Sequence, residues 1–400
     1  MHAAIEIVMK NKIISLILTI LLIITTLTGC NNAQEEEIYN ESNNKPPQIQ
    51  VYPEPLTYER KILTDANEVF NMNRYDLRHC DASQIDFTKL NLTNFVFDSQ
   101  TIWSDKLPPE FNVNELIEYG KKPGLGINSL HEEKITGKGI NVGIIDGRLL
   151  ADHSEFKDNI VLYEEIFEME GEAHYHGTPI TSLLCGKNIG VAPDVNIYYI
   201  AYLEDGTDYE EGYIHLANAI ERIIEINKDL PKGDKIRVLS ISSGWDPDSV
   251  NAKGIYDAIE KAKKDNIFVV TAMLDETHEL FYDGARREPV SDPESLESYY
   301  YENSADVNSG NELLLFPLDA RWLASATGQN DYVMYTRGAW SMIIPYVSGL
   351  YALACQVNSE MTPELFWNEA LLTGYNINEA NNKAGNIKII NPVELISKIR

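Results

Sequence analysis

Cysteine and basic residues are both scarce in this 400-residue sequence. The four cysteines form no Cys-x-x-Cys pair and no Cys/His ligand pattern, which argues against a structural zinc site. Lysine and arginine number 33 against 61 aspartates and glutamates, and the formal net charge is −28. Such a surface repels nucleic acid, so we expect no nucleic-acid partner.

An apolar run near the N-terminus has the features of a signal peptide. A short basic segment with Lys10 and Lys12 precedes the apolar residues 13–26, which are too few for a comfortable membrane span. The next residues, LTGC, resemble the lipobox of bacterial lipoproteins and end at Cys30. We therefore predict a lipoprotein signal peptide over 1–29 and a lipid anchor on Cys30, which would hold the protein on the extracytoplasmic side of a bacterial membrane. A plain secretory signal and an uncleaved anchor are the alternatives.

Two segments separate this signal from the larger predicted domain. Residues 30–72 begin with the polar, acidic sequence CNNAQEEEIYNESNNKPP, and we predict that they form a tether. Residues 101–138 are predicted to connect to the larger domain and to contain a short helix over Ile127–Glu133.

Between these segments, residues 73–100 place apolar side chains at every fifth position. A period of five fits neither a helix nor a flat strand. It resembles a pentapeptide repeat, a β-coil with inward-facing apolar residues, and we predict a short structural coil docked on the following domain. Two ordinary alternating strands are the alternative. The repeating positions form two sets: Leu77, Ala82, Phe87, Leu92 and Phe97, and Tyr75, Cys80, Ile85, Leu90 and Phe95.

From residue 139 onward, strand-like and helical segments alternate. Apolar runs such as INVGIID, VNIYYIAYL, IRVLSIS and NIFVVTAML are separated by helical patterns such as HGTPITSLLCG and GIYDAIEKAKKD. This alternation predicts an α/β domain over 139–400, with a mainly parallel sheet and helices on both faces. Catalytic groups in such sheets gather at the carboxyl ends of the strands.

Three polar residues in this domain occupy positions suited to nucleophilic catalysis. Asp146 ends the first strand, His176 begins a helix, and Ser341 lies near the N-terminus of the last apolar helix. A serine hydroxyl needs a base to accept its proton, and the base needs a carboxylate that fixes its tautomer. Each residue alone could instead be a cap or turn residue. Three other histidines compete for the role of base: His153, His174 and His278.

The motifs around these residues resemble those of subtilisin-like serine proteases over about residues 125–375. GIIDGRLLADHSEF resembles the Asp motif, HGTPITSLLCGKNIGVAPD the His motif, and GAWSMIIPYVSG the Ser motif. The resemblance implies a three-layer subtilisin-like fold and a catalytic triad of Asp146, His176 and Ser341 that needs no cofactor for its chemistry. Family members often bind calcium, and the acidic loops allow a structural calcium ion, but no ligand set stands out in the sequence.

The sequence IRVLSISSGW resembles the family's substrate-binding strand. The resemblance implies that the backbone of Ser242, Ser243 and Gly244 pairs with an extended peptide as an added strand. A peptide or protein is therefore the expected substrate.

One position departs from the family pattern. The family has an asparagine that donates to the oxyanion after the fourth strand motif, and Asp275 stands at that position here. An ionised carboxylate would repel the oxyanion. Three readings stay open: Asp275 is buried and protonated, another donor replaces it, or turnover is weak. The substitute donors considered are His278, Asn330 and Arg286.

The leading hypothesis is a lipid-anchored serine endopeptidase that faces the extracytoplasmic space. A subtilase scaffold that binds peptides without cutting them is the main alternative, and a structural surface protein that interacts through residues 73–100 is another. We also expect the polar, acidic residues 283–312 to form a surface loop near the substrate cleft.

Overall fold

The computed structural model describes residues 52–71, 74–90, 94–109, 111–203, 206–302, 312–377 and 387–400. The predicted signal peptide and Cys30 lie outside the described residues. The strands in the described residues are β1 (Lys61–Ile62), β2 (Phe70–Asn71), β3 (Arg74–Asp76), β4 (Cys80–Asp81), β5 (Phe95–Asp98), β6 (Asn141–Gly147), β7 (Ile160–Glu165), β8 (Asn196–Leu203), β9 (Ile236–Ile241), β10 (Phe268–Thr271), β11 (Tyr282–Arg287), β12 (Tyr299–Tyr300), β13 (Leu313–Pro317), β14 (Arg321–Ala324), β15 (Tyr332–Tyr335), β16 (Tyr375–Asn376) and β17 (Ile387–Ile389). The α-helices there are α1 (Val113–Gly120), α2 (Ile127–Glu132), α3 (Gly177–Cys185), α4 (Tyr209–Asp229), α5 (Ala252–Lys264), α6 (Leu274–His278), α7 (Ile343–Val357), α8 (Pro363–Thr373) and α9 (Pro392–Ile399).

The central sheet has the strand order β10-β9-β6-β8-β7, and all neighbouring pairs are parallel. Successive side chains of a strand point to opposite faces, so Ile144 and Ile145 enter different apolar clusters. Ile145 packs in the cluster that includes residues of α4 and α5, and Ile144 in the cluster that includes residues of α3 and α7. The predicted α/β fold with helices on both faces of a parallel sheet is confirmed.

Helix α7 lies within the apolar cluster that contains Ile144. It contacts β6, β9, β10 and α3. At Gly349 it passes so close to the turn after α3 that an added Cβ would lie 2.8 Å from the Cβ of Val191, so only glycine fits there without a shift. The segment Trp340–Val357 is long and apolar enough to cross a membrane, but 78% of it is buried inside the protein, as in the core helix of a soluble domain.

A second sheet has the order β12-β11-β13-β17-β16 and includes part of the segment that the sequence analysis assigned to a surface loop. Strand β11 pairs in parallel with β13, and Tyr299 at the start of β12 is buried. Arg287 is buried as well, and its guanidinium donates to the carbonyl oxygens of Ser291 and Ala320. The prediction of a surface loop over 283–312 is therefore wrong for residues 283–287 and 299–300, which lie in β11 and β12. Residues 303–311 of that segment lie outside the described residues.

The N-terminal described residues stack in rungs about twenty residues apart along the chain. Lys61 pairs in parallel with Cys80, and Tyr75 with Phe95. At three positions five residues apart, an aspartate oxygen accepts the backbone N–H two residues further on, which turns the chain at each step. These aspartates are Asp76, Asp81 and Asp86.

We call residues 52–111, within their described parts, the N-terminal layer. Its core contains the five-residue positions Leu77, Ala82 and Phe87, each fully buried. The assignment to a pentapeptide repeat stays a prediction.

Residues 61–71 were predicted to be part of the tether. They contain β1, a short 3-10 turn and β2, and therefore belong to the N-terminal layer.

The N-terminal layer joins the α/β domain through strand pairing. Strand β5 pairs antiparallel with β15, which extends the β14–β15 hairpin. The buried hydroxyl of Thr336 accepts the Phe95 N–H at 2.6 Å and donates to the Phe95 carbonyl at 2.8 Å. Thr336 lies five residues before Ser341, so this junction borders the segment that carries the predicted nucleophile.

Replacing Thr336 with valine is expected to lower the free energy of unfolding by about 1–3 kcal/mol, because the buried Phe95 N–H loses its acceptor. Urea unfolding followed by circular dichroism measures the change. Thr373→Val is the matched control, since that hydroxyl donates only to a helix carbonyl of α8 at a partly exposed site; a shift within about 0.5 kcal/mol is expected there. Equal shifts in the two variants would contradict a specific role for Thr336.

Candidate functional site

Asp146 lies at the carboxyl end of β6, in the middle of the central sheet. Its side chain is buried, and the register of β6 against β8 shifts between Asp146 and Gly147. The Gly147 N–H donates to the Asp146 carboxylate at 2.7 Å. A Cβ on Gly147 would lie 2.5 Å from the ring of His174, so glycine lets the two chain segments approach each other here.

His176 precedes the first turn of α3 and is hydrogen-bonded to Asp146. Its Nδ1 lies 2.8 Å and 3.0 Å from the two carboxylate oxygens, while the imidazole is partly exposed. With Nδ1 bonded to Asp146 as a donor, Nε2 of the neutral ring is an acceptor, which is the state a general base requires.

The electrostatics of this pair favour the imidazolium. Burial lowers the pKa of His176, but the charge of Asp146 and the hydrogen bond to it outweigh burial, so the pKa is raised above 6.5. A base of this kind works when neutral, so a reaction that uses it slows as the pH falls through the raised pKa.

The competing histidines have other surroundings. Burial lowers the pKa of His153, whose Nε2 contacts the Asp331 carbonyl. Burial and the charge of Lys263 lower the pKa of His278 to about 4. His174 accepts the His176 backbone N–H through its Nδ1 at 3.3 Å, so it supports the loop of His176.

Ser341 lies in a single 3-10 turn, Trp340–Met342, that leads into α7. This turn contacts α3, the helix that His176 precedes. The first hydrogen bond of the turn runs from the Met342 N–H to the Ala339 carbonyl. The Ser341 N–H therefore comes before the first N–H that bonds within the turn, like the first N–H groups of any helix.

The predicted substrate strand follows directly from β9 and contacts the serine turn. The Ser242 hydroxyl donates to the Ser341 carbonyl at 2.9 Å. Ser243 pairs its hydroxyl with that of Tyr202 at 2.7 Å, and its carbonyl accepts the Ala272 N–H. Gly244 is exposed. No sequence signal pointed to the contact between Tyr202 and Ser243, because a tyrosine near the end of a buried strand looks like an ordinary core residue.

Asp275 lies in the first turn of the short helix α6 and is exposed. The reading in which burial keeps Asp275 protonated requires a buried side chain, and Asp275 is not buried. Among the substitute donors, Arg286 comes within 3.5 Å of the Gly338 carbonyl, three residues before Ser341. His278 contacts the Thr277 hydroxyl and the ring of Phe268, and Asn330 is exposed in the loop between β14 and β15.

A buried carboxylate outside the sequence motifs holds the loop before Ser341. Asp319 lies between β13 and β14 and accepts the Gly338 N–H at 2.8 Å. It also accepts from Arg286 at 2.8 Å and from Arg337 at 3.2 Å. A single aspartate between two apolar strands reads as a turn residue, so no sequence signal singled it out.

Cys80, Cys185 and Cys355 are free and buried. Within the ranges that the structure describes, no three His, Cys, Asp or Glu side chains gather as a metal site would require.

Comparisons with known proteins agree with the motifs. Residues 137–341, just over half of the chain, match the model of the subtilase family of peptidases. A curated relative, the subtilase-type proteinase RRT12 of Saccharomyces cerevisiae, is 30% identical over 151 residues, which are 36% of this chain and 29% of that protein. The subtilisin-like protease 2 of Arthroderma otae is 21% identical over 309 residues, which are 74% of this chain and 70% of that protein.

The extent of these matches differs between relatives. The subtilisin-like protease PopC of Myxococcus xanthus is 27% identical over 112 residues, and the match covers 25% of this chain and 24% of that protein. The chain thus spans less than a third of the length of RRT12 and PopC. Among solved structures, the prenylagaramide maturation protease PagA is similar with a TM-score of 0.50 and 17% identity, covering 69% of this chain and 98% of that one. At this identity the similarity concerns the fold alone.

Proposed function

The chain belongs to the subtilase family, a family of serine peptidases, and on that premise we propose that it is a lipid-anchored serine endopeptidase acting outside the cytoplasm. In this proposal Asp146, His176 and Ser341 form the catalytic triad, and an extended peptide or protein is the substrate. The observation that carries the proposal is the hydrogen bond between Asp146 and His176. His176 directly precedes helix α3, and α3 contacts the turn that contains Ser341.

Each residue has a defined step. The Ser341 hydroxyl attacks the substrate carbonyl carbon while His176 Nε2 takes its proton, and Asp146 stabilises the resulting imidazolium. The tetrahedral intermediate collapses as His176 returns the proton to the leaving amine, which leaves an acyl group on Ser341. Water then attacks this ester with His176 again as base, and the acid product and free serine are released.

The Ser341 backbone N–H would donate a hydrogen bond to the oxyanion, because this N–H comes before the first internal hydrogen bond of the turn. The family's second donor is missing, since Asp275 is an exposed carboxylate. Removing one donor of this kind costs about 10²–10³ in rate, and so we propose a slow but active enzyme.

Backbone pairing fits the predicted substrate strand. Carbonyl groups of alternate residues in an extended strand point to the same side. The Ser243 carbonyl already accepts the Ala272 N–H. If residues 242–244 continue β9 as an extended strand, the carbonyls of Ser242 and Gly244 would face the other edge. That edge is where we propose that the substrate adds as a strand.

The attachment to the membrane is a separate part of the proposal. Cys30 would carry the lipid, the tether would follow it, and the N-terminal layer, as a coil of pentapeptide-repeat type, would serve as structural support for β14 and β15. Release of Cys30→Ser protein from the membrane fraction, with wild type retained there, would support the anchor; equal distribution of the two would overturn it.

Labelling with a fluorophosphonate probe tests the proposed chemistry. We expect wild type to be labelled on Ser341, as located by peptide mapping, and Ser341→Ala to be unlabelled. Ser348→Ala is the matched control, because Ser348 lies on α7 but is buried and bonded to the Ile344 carbonyl. It should label like wild type. Absence of label in wild type, or label that appears only in Asp275→Asn, would overturn the endopeptidase proposal.

A further inference from the structure

Two arginines lie beside the segment that leads to Ser341. Arg337 is four residues before the serine, and Arg286 on β11 reaches the Gly338 carbonyl at 3.5 Å. Both guanidinium groups contact the buried Asp319, Arg286 at 2.8 Å and Arg337 at 3.2 Å. The arginine pair, Arg286 and Arg337, is thus fixed from the inside of the protein.

The pair carries more positive charge than its buried partner neutralises. Asp319, whose side chain is 0% exposed, supplies one negative charge for two guanidinium groups. The second negative charge is that of Glu302 at the protein surface, whose side chain is 56% exposed. One Glu302 oxygen lies 3.2 Å from Arg286 Nε and 3.8 Å from Arg337 Nη1.

The two carboxylates therefore have different characters. Asp319 is locked by two arginines and by the Gly338 N–H, whereas Glu302 makes longer contacts at the surface. Exposed ion pairs of this kind contribute little stability, so another carboxylate can exchange with Glu302 at small cost. Guanidinium groups suit carboxylates because their donors form a planar fork.

We propose that the arginine pair is a substrate subsite for an acidic side chain within a few residues of the cleaved bond, and that Glu302 occupies this subsite in the free enzyme. The inference rests on the proposed peptidase function. The arginine pair borders the segment that carries Ser341, so a ligand held there would be part of a bound substrate. The chain's net charge of −28 repels acidic peptides in general, so a local cationic site is needed where one is to bind.

Paired peptides that differ only by glutamate or glutamine test this subsite. With the acidic residue moved through the three positions on each side of the cleaved bond, we expect one position at which wild type prefers glutamate about five- to tenfold in kcat/KM. Glu302→Gln should raise this ratio about two- to fivefold, since the competing carboxylate is gone. Arg337→Gln should reduce the ratio to about one, with Arg337→Lys between the two.

Glu312→Gln is the matched control for Glu302→Gln. Glu312 is an exposed glutamate paired with Lys388 at 3.1 Å, and its neutralisation changes the net charge equally without touching the arginine pair. Its glutamate/glutamine ratio should equal that of wild type. The same ratio in wild type, Glu302→Gln and Arg337→Gln at every position would overturn the subsite, while cleavage itself would still support the peptidase function.

Binding separates the subsite from catalysis. Fluorescence anisotropy of the same peptides on Ser341→Ala protein needs no turnover, so it reports on the subsite even if wild type fails to cut or to take the serine probe. Tighter binding of the glutamate peptide, strengthened by Glu302→Gln and weakened by added salt, supports the proposal. Equal affinity for both peptides overturns it.

Discussion

Replacing Asp146 with asparagine is expected to lower kcat about 10⁴-fold and to leave KM nearly unchanged. The His176 Nδ1 proton is bonded to both Asp146 oxygens, at 2.8 Å and 3.0 Å, and this fixes the tautomer with Nε2 as acceptor, which the proposed triad requires. An asparagine can present an N–H to the ring and so stabilise the wrong tautomer. It also removes the charge that stabilises the imidazolium. Steady-state hydrolysis of a peptide substrate, with active-site titration, measures both constants.

The pH dependence of the same variant gives an independent readout. In wild type, the charge of Asp146 keeps the pKa of His176 raised above 6.5 against the opposing effect of burial. Without that charge burial dominates, so the acid limb of the kcat/KM profile should move to lower pH while its plateau falls. A group with a raised folded pKa adds stability below about pH 6.5 that is lost as the pH rises through that pKa. The stability difference between wild type and Asp146→Asn should therefore be largest in acid.

Asp152→Asn is the control for this variant. Asp152 lies in the same segment, is partly buried, and accepts from the Gln329 amide rather than from a histidine. We expect its kcat and pH profile to match those of wild type. A loss of similar size in Asp152→Asn, or an unchanged acid limb in Asp146→Asn, would show that Asp146 acts only through the fold.

The sequence was informative where a function depends on one strand or helix. The apolar run INVGIID predicts a buried strand, and β6 places Asp146 at its carboxyl end as expected. Helix α2 likewise ends within one residue of its predicted bound at Glu133. These features follow from local periodicity, which a single sequence contains.

Contacts between distant residues could not be predicted in this way. Asp319 meets Arg286 across 33 residues and Gly338 across 19, and no period links these positions. The polar, acidic composition of residues 283–312 suggested a surface loop, because hydrophobic patterns do not record a buried arginine such as Arg287. The five-residue period marked the inward positions of the N-terminal layer, yet it held no information about the pairing of β5 with β15.

The largest structural effect is expected from Asp319→Asn, which should lower the free energy of unfolding by about 3 kcal/mol. The substitution leaves two arginines facing a neutral amide, and an amide N–H directed at either guanidinium adds repulsion. The partial exposure of both arginines lets water relieve part of this cost, so the loss should fall below that of a fully buried pair. Thermal and urea unfolding measure the change.

Activity should fall with stability in this variant, because Asp319 also accepts the Gly338 N–H and so fixes the backbone three residues before Ser341. Asp283→Asn is the matched control, since Asp283 is a partly buried aspartate on β11 that accepts from the Tyr301 hydroxyl and contacts no arginine in the part of the chain that the structure describes. Adding Arg337→Gln to Asp319→Asn removes one unpaired cation, so the double variant should be more stable than the sum of the single changes predicts. Strict additivity would mean that Asp319 and Arg337 are not energetically coupled, and the arginine pair would then owe its position to the surrounding backbone rather than to the buried carboxylate.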